Sequence, residues 1–104
     1  NLGKSRGPYV ELHCLLAIAG ARDLETLDEW LRLGRHRKDP RTRLLAELVR
    51  GLRAFAASNY ALASVELEGV VSKISELGGS HAQNLLFEEI AAYCADLVDT
   101  RIAA

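Results

Sequence analysis

GLRAFAASNYALASVEL, residues 51 to 67, decides how this chain folds. One helical pattern stops inside it and another begins. Ser58, Asn59 and Tyr60 read as a tight turn. Before them, Leu44, Leu45, Leu48, Val49, Leu52, Phe55 and Ala56 recur at helical spacing and cover an arc of about 140° at about 100° per residue. That arc is wider than one helix contact needs. Gly51 and Ala54 form a separate small-residue flank, where another helix can approach closely. After the turn, Tyr60, Ala63, Leu67, Val70, Val71, Ile74 and Leu77 form one stripe of a second helix.

The same punctuation recurs outward along the chain. Asp39-Pro40 starts the helix that ends near Ala57, with Asp as N-cap and Pro at the first helical position. At residues 77–89, LGGSHAQNLLFEE, Gly78 and Gly79 supply a stop where φ turns positive. Ser80 and Gln83 have the spacing of a reciprocal capping box, which starts the next helix. A final helix over 80–102 then carries Leu86, Ile90, Tyr93, Cys94 and Leu97. Toward the N-terminus, a helix from Pro8 to about Ala19 places Leu12, Leu15, Leu16 and Ala19 on one side, and Gly20 closes it. Asp23 caps a further helix bearing Leu24, Leu27, Trp30, Leu31 and Gly34. Residues 1–7 read as a loose end. No stretch alternates with period two for long enough to be a strand.

The fold class is therefore all-α. One domain over 8–104 is built of antiparallel helical hairpins, about 8–37 and 39–77, followed by a last helix. A length of 104 residues, 49% hydrophobic and 26% charged, supports a single core. A net charge of −1 gives the whole chain no general attraction to nucleic acid. The longest apolar run, near Cys14 to Ala19, falls far short of the roughly 20 residues of a membrane span. Nothing at the start resembles a secretory signal. Asn1 in place of methionine reads as an excised or processed chain. Cys14 and Cys94 lie in apolar helical patterns and are expected to be buried thiols in a reducing compartment, the cytoplasm.

Sliding the chain by 37 positions sets Cys14 on Gly51, Ala17 on Ala54, Thr26 on Ala63, Trp30 on Leu67 and Leu33 on Val70. The register resembles the tetratricopeptide repeat, most clearly over 44–70 with Gly51, Tyr60, Ala63 and Leu67. It departs at Arg50, where a large apolar residue is usual, and at Ser58, where glycine is. HCLLAIAGARD, GLRAFAASNYALASVEL and LGGSHAQNLLFEE together resemble the helical-repeat region of the tetratricopeptide-repeat protein 38 family and its bacterial relatives. The resemblance spans residues 10–93. It implies an α-solenoid, a longer parent chain and no established catalytic chemistry.

Chemistry-bearing residues are few. His81 lacks the second histidine, or the H-E-x-x-H or C-x-x-C spacing, that a metal site needs. It reads as part of a structural joint with Gly78, Gly79, Ser80 and Gln83. His13 and Cys14 are adjacent, so on a helix they point about 100° apart and cannot easily share a proton. Trp30 and Phe55 read as core. The pairs Asp28-Glu29 and Glu88-Glu89 read as a wet helix face. Arg32, Arg35, Arg37, Lys38, Arg41 and Arg43 form a basic patch opposed only by Asp39, yet no aromatic residues are interleaved for stacking on bases.

These features favour a non-enzymatic repeat scaffold without cofactor or metal. Its partner is a protein or peptide, held in a groove lined by Leu15, Ile18, Leu48, Leu52, Phe55, Leu85 and Tyr93. A nucleic-acid module using the basic patch is the alternative, and a non-catalytic part of a larger enzyme ranks behind it. Apolar residues on more than one side of the last helix (Leu86, Phe87, Ile90, Tyr93, Cys94, Leu97, Val98, Ile102) predict a two-fold dimer through it.

Overall fold

The computed structural model describes residues 8–34 and 39–103. Among them are five α-helices and one 3₁₀ turn: α1 (Pro8–Gly20), α2 (Leu24–Gly34), α3 (Pro40–Ala56), α4 (Tyr60–Val71), the 3₁₀ turn (Ile74–Leu77) and α5 (His81–Ala103). No described residue is in a strand. The expected loose end, residues 1–7, and Arg35, Arg37 and Lys38 of the basic patch lie outside the described residues.

Three joints obey local capping rules. Asp23 accepts from the Thr26 backbone N–H at 3.1 Å, Asp39 from that of Thr42 at 3.0 Å and Asn59 from that of Leu62 at 3.3 Å. Each side chain satisfies one amide left bare by its helix start. Helix endings differ from expectation. Gly20 is the last residue of α1, and the left-handed residue comes two positions later, at Arg22 (φ 56). Ser58 (φ 62) does the same after α3.

These two joints close with the same pair of backbone bonds. Arg22 N–H donates to Ala19 and Asp23 N–H to Ile18; Ser58 N–H donates to Phe55 and Asn59 N–H to Ala54. This is the Schellman pattern, and the residue that completes it is also the next helix's N-cap. Arg22 and Ser58 stand 36 positions apart, so the turns repeat at 36 and not at 37. Burial in the second helices agrees. Leu27 and Ala63, a pair at offset 36, are both fully buried, whereas Leu33, set on buried Val70 by offset 37, is 64% exposed.

α3 is the central helix. It packs on α4 most extensively, and on α1, α2 and the 3₁₀ turn. Its wide apolar arc is thereby accounted for: Leu44, Leu45, Leu48, Val49 and Leu52 are buried by the chain's own helices. A Cβ built on Gly51 would lie 2.5 Å from Leu67 Cδ2, so α3 and α4 approach as closely as the small flank suggests. Arg50, which breaks the repeat pattern, is about half exposed and faces Glu66 of α4 at 4.0 Å.

The second hairpin differs from the expected helix through Leu77. α4 stops at Val71, and bonds from Lys73 N–H to Val70 and Glu76 N–H to Lys73 tighten the chain. Ile74 and Leu77 stay in the core. Gly78 (φ 83) is left-handed, and Gly79 is needed for space: its Cβ would fall 2.4 Å from Leu12 Cδ1. Ser80 and Gln83 exchange bonds of 3.0 and 3.1 Å, the reciprocal box their spacing predicts. α5 packs chiefly on α4, with Gln83, Phe87 and Cys94 buried. Leu86 is 46% exposed, so the inner face is turned from the expected stripe by one residue. The molecule measures 47 × 28 × 24 Å.

Candidate functional site

The seven residues expected to line a groove separate into three groups. Leu15, Leu48 and Leu52 are at most 1% exposed and have no surface to offer a partner. This corrects the groove, because the helices of one chain already cover that face. Ile18 and Phe55 are partly buried against the core. Leu85 and Tyr93 are exposed, Tyr93 at 52%. On a helix, Leu85 lies about 80° from Tyr93 while Leu86 lies about 20° from it. Leu86 therefore shares the Tyr93 face and Leu85 does not.

What remains is an aromatic cluster where α3, α4 and α5 meet. Phe55 comes from the last turn of α3, Tyr60 opens α4 and Tyr93 stands on α5. Ring centroids are 6.3 Å apart for Phe55–Tyr60, 6.5 Å for Phe55–Tyr93 and 6.1 Å for Tyr60–Tyr93, all edge to face. This geometry matches ring quadrupoles and fixes rigid apolar surface at low entropic cost.

Arg22 completes the cluster. Its Nη1 donates to Ser58 Oγ at 2.9 Å, the Ala56 carbonyl at 3.0 Å and the Phe55 carbonyl at 3.4 Å. The guanidinium carbon lies 5.7 Å from the Phe55 ring centroid, within cation–π range. A cation thus meets the negative end of the α3 dipole. The Ser58 hydrogen bond, followed by that of Arg22, holds the Tyr60 phenol below its ordinary value. Sequence reading missed Arg22 and Tyr60 as surface residues of interest. The one available signal was their position flanking two turns of equal build.

The described residues of the basic patch, Arg32, Arg41 and Arg43, have separate surroundings. Arg32 pairs with Glu29 on α2. Arg41 donates to Glu11 Oε1 and to the Leu77 carbonyl, both at 2.9 Å, tying α3 to α1 and the 3₁₀ turn. Arg43 is exposed beside an open cleft of about 420 Å³ that Pro40, Arg41, Leu44, Glu47, Lys73 and Glu76 also line. Two carboxylates among those residues dilute its positive character.

His81 is the exposed first residue of α5. Cys14 is half-buried and Cys94 buried, both as free thiols, so Cys14 is less enclosed than its apolar neighbours suggest. Burial pushes the Cys94 thiol up. Among the described residues, no three His, Cys, Asp or Glu side chains are grouped to hold a metal, and no helix is long and apolar enough to cross a membrane. Comparison with protein-family models, characterised proteins and solved structures gives no match.

Proposed function

We propose that this chain is a non-enzymatic, tetratricopeptide-like helical-repeat module that docks a peptide or protein segment on the Phe55–Tyr60–Tyr93 face. The observation that carries this is the half-exposed Tyr93 ring, held edge to face against Phe55 and Tyr60. Rigid aromatic side chains with a dry base and a wet rim are the usual anchors of protein contacts. Leu86, in line with Tyr93 on α5, extends the surface. The two free thiols suit a reducing compartment such as the cytoplasm.

Peptide display against the folded chain tests the proposal. Sequences enriched on the wild type should be lost on Tyr93→Ala, which removes exposed ring surface and leaves the core intact. Enrichment that is equal on both proteins rejects this face. A salt-sensitive mobility shift with RNA or DNA, abolished by Arg43→Ala, would restore the basic-patch alternative. Support for that alternative is weaker, since Arg32 and Arg41 already have acidic partners.

A further inference from the structure

The net charge of −1 conceals an uneven division. Before Ala54 the chain has eleven lysines and arginines against seven carboxylates; from Ala54 to Asp99 it has seven carboxylates and Lys73 alone. α5 lies in the acidic part and has no lysine or arginine between His81 and Asp99. Glu89 is exposed on it and makes no hydrogen bond or ion pair within the described residues. Residues three and four positions away are neighbours on a helix surface. For Glu89 these are Leu85, Leu86, Ala92 and Tyr93, all four exposed. A single carboxylate thus stands inside a ring of apolar side chains.

We propose that Glu89 receives an arginine side chain of the docked segment, with the arginine's stem and an adjoining apolar residue lying over Leu86 and Tyr93. This rests on the Tyr93 face being the docking site. Charge and shape select the guest together. An arginine has an apolar stem that such a ring can cover and a charged head that needs an acid. Its planar fork matches a carboxylate with two parallel bonds and stacks on an aromatic face, which a lysine ammonium does less well. The two sides of Tyr93 differ in sign. Arg22 lies 5.7 Å from the Phe55 ring centroid and repels a second cation there, whereas Glu89 lies one turn back along α5. The guest's arginine therefore belongs on the α5 side and its apolar neighbour toward Phe55. A second copy seated here would bring its own Glu89, so apolar contact alone would hold it and salt would not weaken it.

Three capped peptides test this by NMR titration: acetyl-Arg-Phe-Leu-amide and its lysine and glutamine counterparts. The caps leave the first side chain as the only charge. All three should shift the ring resonances of Phe55 and Tyr93. The Arg peptide should bind about fivefold tighter than the Gln peptide and should move the Glu89 carboxyl carbon signal, an advantage lost at high salt. The Lys peptide should fall between them. Glu89→Gln should abolish the preference; Glu89 is exposed and glutamine is a good helix former, so the fold should stay intact. Glu88→Gln changes the net charge equally but points about 100° away, and should retain most of the preference. Equal binding of the Arg and Gln peptides with moving rings overturns the arginine contact and leaves the aromatic face standing. A preference lost equally in Glu88→Gln and Glu89→Gln belongs to the field of the whole acidic part and also overturns the contact. Rings unmoved by every peptide overturn both readings; if they then move with protein concentration, the face belongs to a second copy.

Discussion

Arg22 donates a 2.9 Å hydrogen bond to Ser58, and both residues hold left-handed backbone at the same place in successive turns. The first turn thereby clamps the second. Its guanidinium also reaches the Ala56 carbonyl at the end of α3 and adds a second donor to the Phe55 carbonyl, which already accepts from Ser58 N–H.

Replacing Arg22 separates these two roles. Arg22→Ala loses the bonds to α3 and should cost about 1–2 kcal/mol. Arg22→Gly loses the same bonds but relieves the backbone, so it should be more stable than Arg22→Ala by roughly 1 kcal/mol. Urea denaturation of both variants measures the difference. Identical midpoints would show that the backbone at this position is unstrained.

The joint before α5 divides its labour among neighbours. Ser80→Ala should cost about 0.5–2 kcal/mol through the lost cap. Gly78→Ala should cost about 1 kcal/mol because of its positive φ. Gly79→Ala should cost about 1–3 kcal/mol for a different reason, the collision with Leu12 and Gln83. Shortening Leu12 to Ala should relieve part of the Gly79→Ala penalty and none of the Gly78→Ala penalty. A double-mutant cycle reads this coupling.

The phase of α5 predicts unequal effects from adjacent residues. Phe87 is fully buried, and Phe87→Ala should cost about 3–5 kcal/mol. Leu86→Ala should cost less than about 1 kcal/mol in the isolated chain. Similar losses at the two positions would mean that the helix is rotated in solution.

Much of this architecture was legible because capping is local. Asp23, Asp39-Pro40 and Ser80 with Gln83 each act within a few residues, so spacing alone located three helix starts. Packing depends on distant partners and was less legible. The width of the α3 face was plain, but the helices that cover Leu48 and Leu52 lie elsewhere in the chain. α5 has apolar residues on several sides, and its spacing pointed to Leu86 as the inner residue where the structure buries Phe87. Arg22 gave least warning, since its partners are 33 to 36 positions away and a left-handed arginine has no sequence signature.

Both ends of the pH range should weaken the fold. Hydrogen bonds from Thr26 lower the Asp23 carboxyl, and Arg53 and Arg32 do so for Asp28 and Glu29. A depressed carboxyl contributes stability above its unfolded value, near 4, and loses it as pH falls through the lower folded value. Cys94 has the opposite sign. Its thiol is raised by burial, so the unfolded chain ionises first and stability declines as pH climbs past about 9. Cys14 should react with a thiol reagent in the native state, and Cys94 only on unfolding. Equal rates would contradict the burial of Cys94.

Self-association through α5 is testable on the same surface. Sedimentation at micromolar concentration should show a species heavier than one chain, and Leu86→Glu should return it to the monomer. A strictly monomeric wild type would reserve this surface for other chains.

Contact between Leu12 and Gly79 sets an order of events. Neighbouring helices α3, α4 and α5 meet across short loops, which close quickly. Seating α1 on the joint before α5 links opposite halves of the sequence and must await the structure between them. This seam is expected to form last and to open first. Amides of α1 should therefore exchange with solvent sooner than those of α3, and a protease should find α1 before it finds the centre.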